Sequence, residues 1–120
     1  MENRKASKSF RDLVVWQKAH QLVLAVYKLT KNFPKDERFG LISQIRRSSV
    51  SVAANIAEGF KKKGTADKLR IMNISQGSLS ETEYYLLLAK DLDYGDTDEL
   101  MRQADEVGRI LEGYMNAIRK

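Results

Sequence analysis

Apolar residues recur along the chain at spacings of three and four, which is the pattern of helices that bury one face. The first such segment runs from about Asp12 to Asn32. Pro34 follows it, and proline disfavours helical backbone at the residue before it. One apolar stripe of this predicted helix contains Val15, Ala19, Leu22, Val26, Leu29 and Phe33, and a second beside it contains Leu13, Trp16, His20, Val23, Tyr27 and Thr30.

Two further helices are predicted in the middle of the chain. One spans about Glu37 to Gly59 and places Glu37 in its first turn, where a carboxylate complements the helix dipole. The other spans about Ala66 to Leu92 and has Thr65 as its expected N-cap. The inner stripe of the earlier helix consists of Leu41, Ile45, Ser48, Val52, Asn55 and Gly59.

A fourth helix is predicted after Gly95, which is expected to break the chain. Asp96 is its expected cap, and Glu99 is expected to complete an acidic variant of the capping box. Because the connections are short, neighbouring helices should be antiparallel. The pattern therefore predicts an all-α fold, an up-down-up-down four-helix bundle over residues 12–120 that follows a basic arm at residues 1–11. The stripe of the last helix reads Leu100, Ala104, Val107, Leu111, Tyr114 and Ile118.

Composition narrows the class of protein. The chain has 120 residues, of which 42% are hydrophobic and 31% charged, as expected for one globular domain. No stretch approaches the roughly 20 apolar residues that a membrane-spanning helix needs, and the absence of cysteine excludes disulfides and thiolate metal sites. The polar first residues do not resemble a secretory signal, so a cytoplasmic location is expected.

The residues that could carry catalysis do not form a recognisable site. His20 is the only histidine and has Gln17 three residues before it, so the Glu-x-x-His pairs of di-metal bundles are absent. Segment 59–65 resembles a phosphate-binding loop but lacks the lysine after its second glycine. No catalytic residue, metal site or cofactor is therefore predicted, and the protein is not expected to be an enzyme. His20 is expected in the interior or at the boundary of the first helix, and the serines of the middle helices are expected to permit close helix packing.

Three polar residues fall on inner stripes, namely Asn55, Gln76 and Glu83. Buried polar groups need hydrogen-bond partners, and Arg46 or Arg47 could supply them across the bundle. Such a network is expected to fix the helix register rather than to do chemistry.

A run of six residues from Tyr84 to Ala89 is apolar or aromatic around the whole helix circumference. A bundle helix needs an apolar face on one side only. We therefore predict a subunit interface on the third helix that includes Tyr84, Tyr85 and Leu88. The alternative is a locally apolar helix whose tyrosine hydroxyls reach water.

Charge is unevenly distributed along the chain. Residues 35–70 hold nine basic and four acidic residues, whereas residues 71–120 hold five basic and ten acidic. This asymmetry suggests a basic face for nucleic acid, although it could also help subunits meet with complementary charge, and the lysine run could be only a solvated loop. The candidate nucleic-acid contacts are Arg46, Arg47, Lys61, Lys62, Lys63, Lys68 and Arg70.

The sequence also resembles a known family, the four-helix bundle proteins encoded by intervening sequences within bacterial 23S ribosomal RNA genes. The most specific feature is Asn-Ile-Ala-Glu-Gly at residues 55–59, preceded by the pair Arg46 and Arg47, although Ala53 stands where many members carry proline. The resemblance rests on the segments Phe10–Ala19, Phe33–Pro34, Glu37–Leu41, Gln44–Gly59 and Gly77–Glu83.

The resemblance implies a closed homo-oligomer, a pentamer, and a relation to the accessory variability protein of diversity-generating retroelements, which works with a reverse transcriptase and nucleic acid. The first functional hypothesis is therefore an oligomeric, non-enzymatic bundle that binds nucleic acid, either RNA or DNA, with structured RNA favoured. The competing hypothesis is a scaffold or accessory subunit for a protein partner such as a polymerase.

Overall fold

The computed structural model describes residues 7–120 as an all-helical fold. Two short 3-10 turns, at Phe10–Asp12 and Lys35–Glu37, precede the first two helices. The helices are α1 (Val14–Thr30), α2 (Leu41–Lys61), α3 (Thr65–Asp91) and α4 (Asp98–Arg119).

The four helices form a closed ring of neighbours in which each packs against the two beside it. α1 contacts α2 and α4, while α3 contacts the same two helices from the opposite corner. The connections at residues 31–40 and 92–97 meet at one end, where the Tyr94 hydroxyl donates a 2.7 Å hydrogen bond to the Glu37 carboxylate. The connection at residues 62–64 lies at the other end, together with the beginning of α1. The predicted up-down-up-down bundle is therefore confirmed.

The predicted beginning of the second helix is wrong by one turn. Glu37 belongs to the preceding 3-10 turn, and α2 begins at Leu41 with Gly40 as its N-cap residue. Glu37 nevertheless serves the helix from outside, because its carboxylate accepts a 3.0 Å hydrogen bond from the Leu41 amide. That bond satisfies one of the amides that the first turn of a helix leaves without a partner.

The predicted caps of the last two helices are also wrong. Thr65 is the first residue of α3, and Gly64 occupies the N-cap position without a side-chain bond. α3 ends before Asp93, whose φ of 60° turns the chain where the sequence pointed to Gly95. Aspartate tolerates this left-handed conformation better than most residues.

At the start of α4, Thr97 takes the N-cap position in place of Asp96. The Asp96 carboxylate accepts a 3.1 Å hydrogen bond from the Asp98 amide, so it stabilises the start of α4 from the residue before the N-cap. Glu99 does not close a capping box, because its carboxylate bonds to the Arg102 guanidinium at 2.6 Å. Thr97 is buried, and its hydroxyl has no partner among the described residues.

The core is a column of aliphatic side chains with contributions from all four helices. The predicted stripes account for most of it, although Tyr114 and Ile118 of α4 are only half-buried and Met115 is buried beside them. The fully buried large side chains of the column are Leu22, Val26, Ile45, Val52, Ile56, Met72, Leu86, Val107, Leu111 and Met115.

Small polar residues fill the seam between α2 and α3, the most extensive helix pair of the bundle. The hydroxyls of Ser48 and Thr82 lie 2.7 Å apart, and the Ser75 hydroxyl donates to the Val52 carbonyl at 2.7 Å. Both serines are fully buried. Short side chains let the two helices approach closely, and the hydroxyls satisfy one another once water is excluded. The seam provides the close helix packing that was expected of the serines.

The predicted arginine-based network across the bundle is not formed. The Asn55 amide donates instead to the Ser51 carbonyl one turn earlier at 2.8 Å, and Gln76 bonds to Glu112 on α4. Glu83 is half-buried between α3 and α4, where burial and then the negative charge of Asp105 raise the pKa of its carboxyl. Both arginines lie on outer edges of α2.

Glu37 gives the bundle a pH-dependent contact between its two connections. The hydrogen bond from Tyr94, followed by that from the Leu41 amide, lowers the pKa of Glu37 below its ordinary value of 4.5. A lowered pKa means that the contact stabilises the fold fully above pH 4.5 and that this stability disappears as the pH falls through the folded-state value. We expect Glu37→Ala to lower the midpoint of thermal unfolding at pH 7 by a few degrees.

The difference between parent and Glu37→Ala should shrink as the pH falls below 4.5, measured by circular dichroism melts from pH 7 to pH 3. Tyr94→Phe is the matched variant, because it removes only the hydroxyl that donates to the carboxylate, and it should show a smaller loss with the same pH trend. A difference that stays constant down to pH 3 would contradict this assignment.

Candidate nucleic-acid interface

The lysine run Lys61–Lys63 lies where α2 ends. Lys61 is the last residue of the helix, and Lys62 and Lys63 begin the three-residue connection to α3. Lys61 and Lys63 are exposed, whereas the Lys62 ammonium lies 3.9 Å from the Glu58 carboxylate on a partly exposed pair. Such surface pairs contribute little free energy, so all three cations remain available to an anionic partner.

Two other predicted contacts, Lys68 and Arg70, also have partners within the subunit. The Lys68 ammonium donates to the Phe60 carbonyl at 2.6 Å and approaches the Gly59 carbonyl at 3.4 Å. It therefore caps the end of α2, where the carbonyl groups of a helix favour a cation. Arg70 lies on the exposed side of α3, 3.5 Å from the Asp67 carboxylate.

Arg46 and Arg47 lie on different edges of α2 and well away from the lysine run. Fifteen residues of helix separate Arg46 from Lys61, about 22 Å along the axis. Arg46 donates from Nε to the Thr30 hydroxyl at 2.9 Å and stacks over the Tyr27 ring at 4.4 Å. Arg47 pairs with Glu81 across the α2–α3 seam. The seven predicted contacts therefore do not form a single patch.

The structure brings Lys8, which is not among the predicted contacts, next to the lysine run. Ser9 and Asp12 fold the chain before α1 into a 3-10 turn that packs on the end of α2. A groove of about 300 Å³ results, lined by Lys8, Ser9, Phe10, Ala57, Phe60 and Lys61. The capping spacing Ser9-x-x-Asp12 was the sequence signal for this turn. Residues 1–6 of the predicted basic arm lie outside the described residues.

A second basic groove lies at the opposite end of the bundle, beside the α1–α2 connection. It has a volume of about 430 Å³. Arg46 is the one lining residue that was predicted as a nucleic-acid contact. Asp36 and Glu37 stand between the groove's basic residues Lys35 and Arg38, so the charges of this short segment cancel in the sequence.

The predicted interface residues on α3 differ in exposure. Tyr84 is 57% exposed and Leu87, within the same run, is 47% exposed, so both face away from the core. Tyr85 and Leu88 are half-buried, and the Tyr85 hydroxyl donates to Glu81 at 2.7 Å, which raises the pKa of the tyrosine. The run therefore divides into a buried side and an exposed apolar side.

The side chain of His20 is exposed to solvent on α1, so the expectation that it lies in the bundle interior or at its boundary is wrong. Its ring stacks on that of Trp16 at 4.9 Å between centroids, with an interplanar angle of 7°. Within residues 7–120, histidine, aspartate and glutamate side chains form no group of three that could hold a metal ion. None of the helices described has the length and apolar character needed to cross a membrane.

The bundle geometry and sequence together match known proteins. The family model of the 23S rRNA-intervening sequence protein aligns with residues 11–113. The chain belongs to this family. Among solved structures, a protein of unknown function from the S23 ribosomal protein family of Bacteroides thetaiotaomicron VPI-5482 is 26% identical and superposes with a TM-score of 0.78. The match covers 86% of this chain and 96% of that one.

No curated protein sequence matches the chain significantly. Membership in the intervening-sequence protein family confirms the predicted resemblance and the four-helix architecture.

Proposed function

We propose that this protein is a non-enzymatic, oligomeric bundle that binds nucleic acid, with structured RNA as the favoured class, through the basic end formed by Lys61, Lys62 and Lys63. The observation that carries the proposal is the placement of these lysines. They lie at a helix end and in a three-residue connection, and Lys61 lines one groove together with Lys8. Cations grouped in this way can contact successive phosphates of one backbone.

The electrostatics of the remainder of the bundle supports the same orientation. α4 carries five acidic and three basic residues, so its net charge is negative, and its cations Arg102 and Arg109 pair with Glu99 and Asp105. An RNA backbone would be repelled by that helix and attracted to the end of α2. This charge difference supports contact at the lysine run rather than along α4.

Oligomerisation is part of the proposal, and the exposed side of the α3 run supports it. Tyr84 and Leu87 are large apolar side chains that a second copy could cover. The family resemblance implies five copies. A closed ring would repeat the lysine run around its axis, and linked copies raise avidity when one RNA can span them.

A scaffold for a protein partner is the second candidate. The same exposed side of α3 favours it, because an apolar surface can be covered by another protein as well as by a second copy. In that case the lysine run would be only a solvated connection.

Two measurements test the proposal. Light scattering coupled to gel filtration should give a mass of about 68 kDa for five subunits of 13.7 kDa. A structured RNA hairpin should then bind with an affinity that falls steeply with salt, with a log–log slope near −0.9 for each phosphate neutralised. Fluorescence anisotropy at several salt concentrations measures the slope.

Each outcome decides between the hypotheses. A single-subunit mass at micromolar concentration refutes the oligomer, and a stable dimer or tetramer refutes the pentamer alone. If the hairpin does not bind even at low salt, nucleic-acid binding is refuted and the scaffold becomes the preferred function.

A further inference from the structure

The groove beside the α1–α2 connection holds four cations that the proposed RNA-binding end does not use. The lining residues are Thr30, Lys31, Phe33, Lys35, Arg38, Ile42 and Arg46, around a volume of about 430 Å³. Phe33 is buried and Ile42 half-buried, so the floor of the groove is apolar while its rim is basic.

The lysines and Arg38 of this groove have no ion-pair partner among the residues that the structure describes. Across residues 7–120, no carboxylate lies within 4.0 Å of the side-chain nitrogens of Lys31, Lys35 or Arg38. The nearby Glu37 carboxylate is occupied by the Leu41 amide and the Tyr94 hydroxyl. Four positive charges around one concave surface attract an anion.

Arg46 is held in place for such a contact. Its Nε donates to the Thr30 hydroxyl, and its guanidinium stacks on the Tyr27 ring at 4.4 Å. A guanidinium fixed by a hydrogen bond and a ring loses little further freedom when it binds a phosphate, which it recognises through paired N–H donors.

Phe39 supplies a second kind of contact beside the groove. Its side chain is 87% exposed, far more than any other large apolar side chain of the described bundle, and the Arg38 guanidinium lies 5.5 Å from its ring. An exposed aromatic ring next to phosphate-binding cations can stack on a nucleobase. Only an unpaired base offers its face, because the bases of a duplex stack on one another.

We propose that this groove binds a single-stranded segment of nucleic acid, with phosphates on Lys35, Arg38 and Arg46 and one base stacked on Phe39. The inference rests on the proposed nucleic-acid binding but uses a different surface and a different class of strand. It assigns unpaired nucleotides to one end of the bundle, while the lysine run at the other end meets structured RNA.

The test uses fluorescein-labelled hexauridine and its thymidine counterpart, with anisotropy at several salt concentrations. We expect Lys35→Ala/Arg38→Ala to lower hexamer affinity at least tenfold at low salt and to flatten the salt slope by about 0.7 for each phosphate that is no longer neutralised. Arg102→Ala/Arg109→Ala is the matched control, because it removes the same charge from exposed positions on α4, and it should change the affinity less than twofold.

Phe39→Ala separates stacking from charge. It should weaken hexamer binding roughly five- to hundredfold, as expected when one base no longer stacks on an aromatic ring, and leave the salt slope unchanged. Phe39→Tyr keeps the ring and should restore the affinity. Equal binding of the RNA and DNA hexamers is expected, since neither phosphate contacts nor ring stacking distinguishes the sugars.

The proposal is overturned if hexamers do not bind the parent, if both double variants weaken binding equally, or if Phe39→Ala binds as the parent does. A change of oligomer mass in Phe39→Ala also overturns it, since the ring would then be a subunit contact. Hairpin binding without hexamer binding would refute this groove and leave the proposed function standing. Hexamer binding without hairpin binding would do the reverse.

Discussion

Replacement of Leu86 by alanine is expected to lower the free energy of unfolding by about 2–5 kcal/mol. Leu86 has no exposed surface and lies in the aliphatic column to which all four helices contribute. Truncation removes buried methyl groups and leaves a cavity that a ring of four packed helices can only partly close. A decrease of this size is a large fraction of the roughly 5–15 kcal/mol that ordinary domains possess.

Urea unfolding followed by circular dichroism at one fixed protein concentration measures this decrease. Leu24→Ala is the control, because it makes the same substitution on α1 at a side chain that is 57% exposed. Its effect should stay within about 0.5 kcal/mol. If the two variants are destabilised equally, then the helix faces assigned to them are wrong.

Leu86 also shows how far the sequence could define the fold. Its neighbours Tyr84 and Leu87 are also aromatic or apolar, so periodicity within that run could not say which side faces the core. The stripes of α2 and α4 were more informative, because charged residues lie on the other faces of these helices and mark the exposed side. The architecture could be predicted since it depends on these stripes and on short connections, both of which are local properties.

The ends of the helices could not be predicted as well, because the residue at a cap position is also set by contacts with the rest of the fold. Glu37 is placed by the Tyr94 hydroxyl, 57 residues further along the chain. Thr97 takes the N-cap position at the start of α4 although its hydroxyl makes no hydrogen bond among the described residues. Capping preferences average over many helices and do not contain the contacts of one particular fold.

The candidate site shows the same limit. The charge pattern grouped Lys68 with Lys61, yet Lys68 is used to cap α2. The same pattern passed over Lys35 and Arg38, because acidic neighbours cancel them in sequence while Glu37 turns to other partners in the fold. Which cations are available to a ligand is a property of side-chain pairing, and pairing depends on the three-dimensional fold.

The triple variant Lys61→Ala/Lys62→Ala/Lys63→Ala is expected to lower the affinity for an RNA hairpin by on the order of 50-fold or more in about 0.1 M salt. At that salt concentration each neutralised phosphate contributes roughly eightfold, given a slope of about −0.9 per phosphate. The two exposed lysines alone therefore account for this decrease, and Lys62 adds to it where its weak pair with Glu58 opens. The salt slope should flatten by about 0.9 for every phosphate that is no longer neutralised.

The control for this variant removes three positive charges from elsewhere, with Lys18, Arg102 and Arg109 replaced by alanine. Each of these cations pairs with a carboxylate on α4 and lies outside the lysine run, so the control removes the same charge but none of the proposed phosphate contacts. Helicity and oligomer mass should match the parent in both triple variants. If the affinity falls equally in the two, the RNA responds to net charge and not to the end of α2. If the lysine variant binds as the parent does, Lys61, Lys62 and Lys63 form only a solvated connection, and the hairpin is held elsewhere on the bundle.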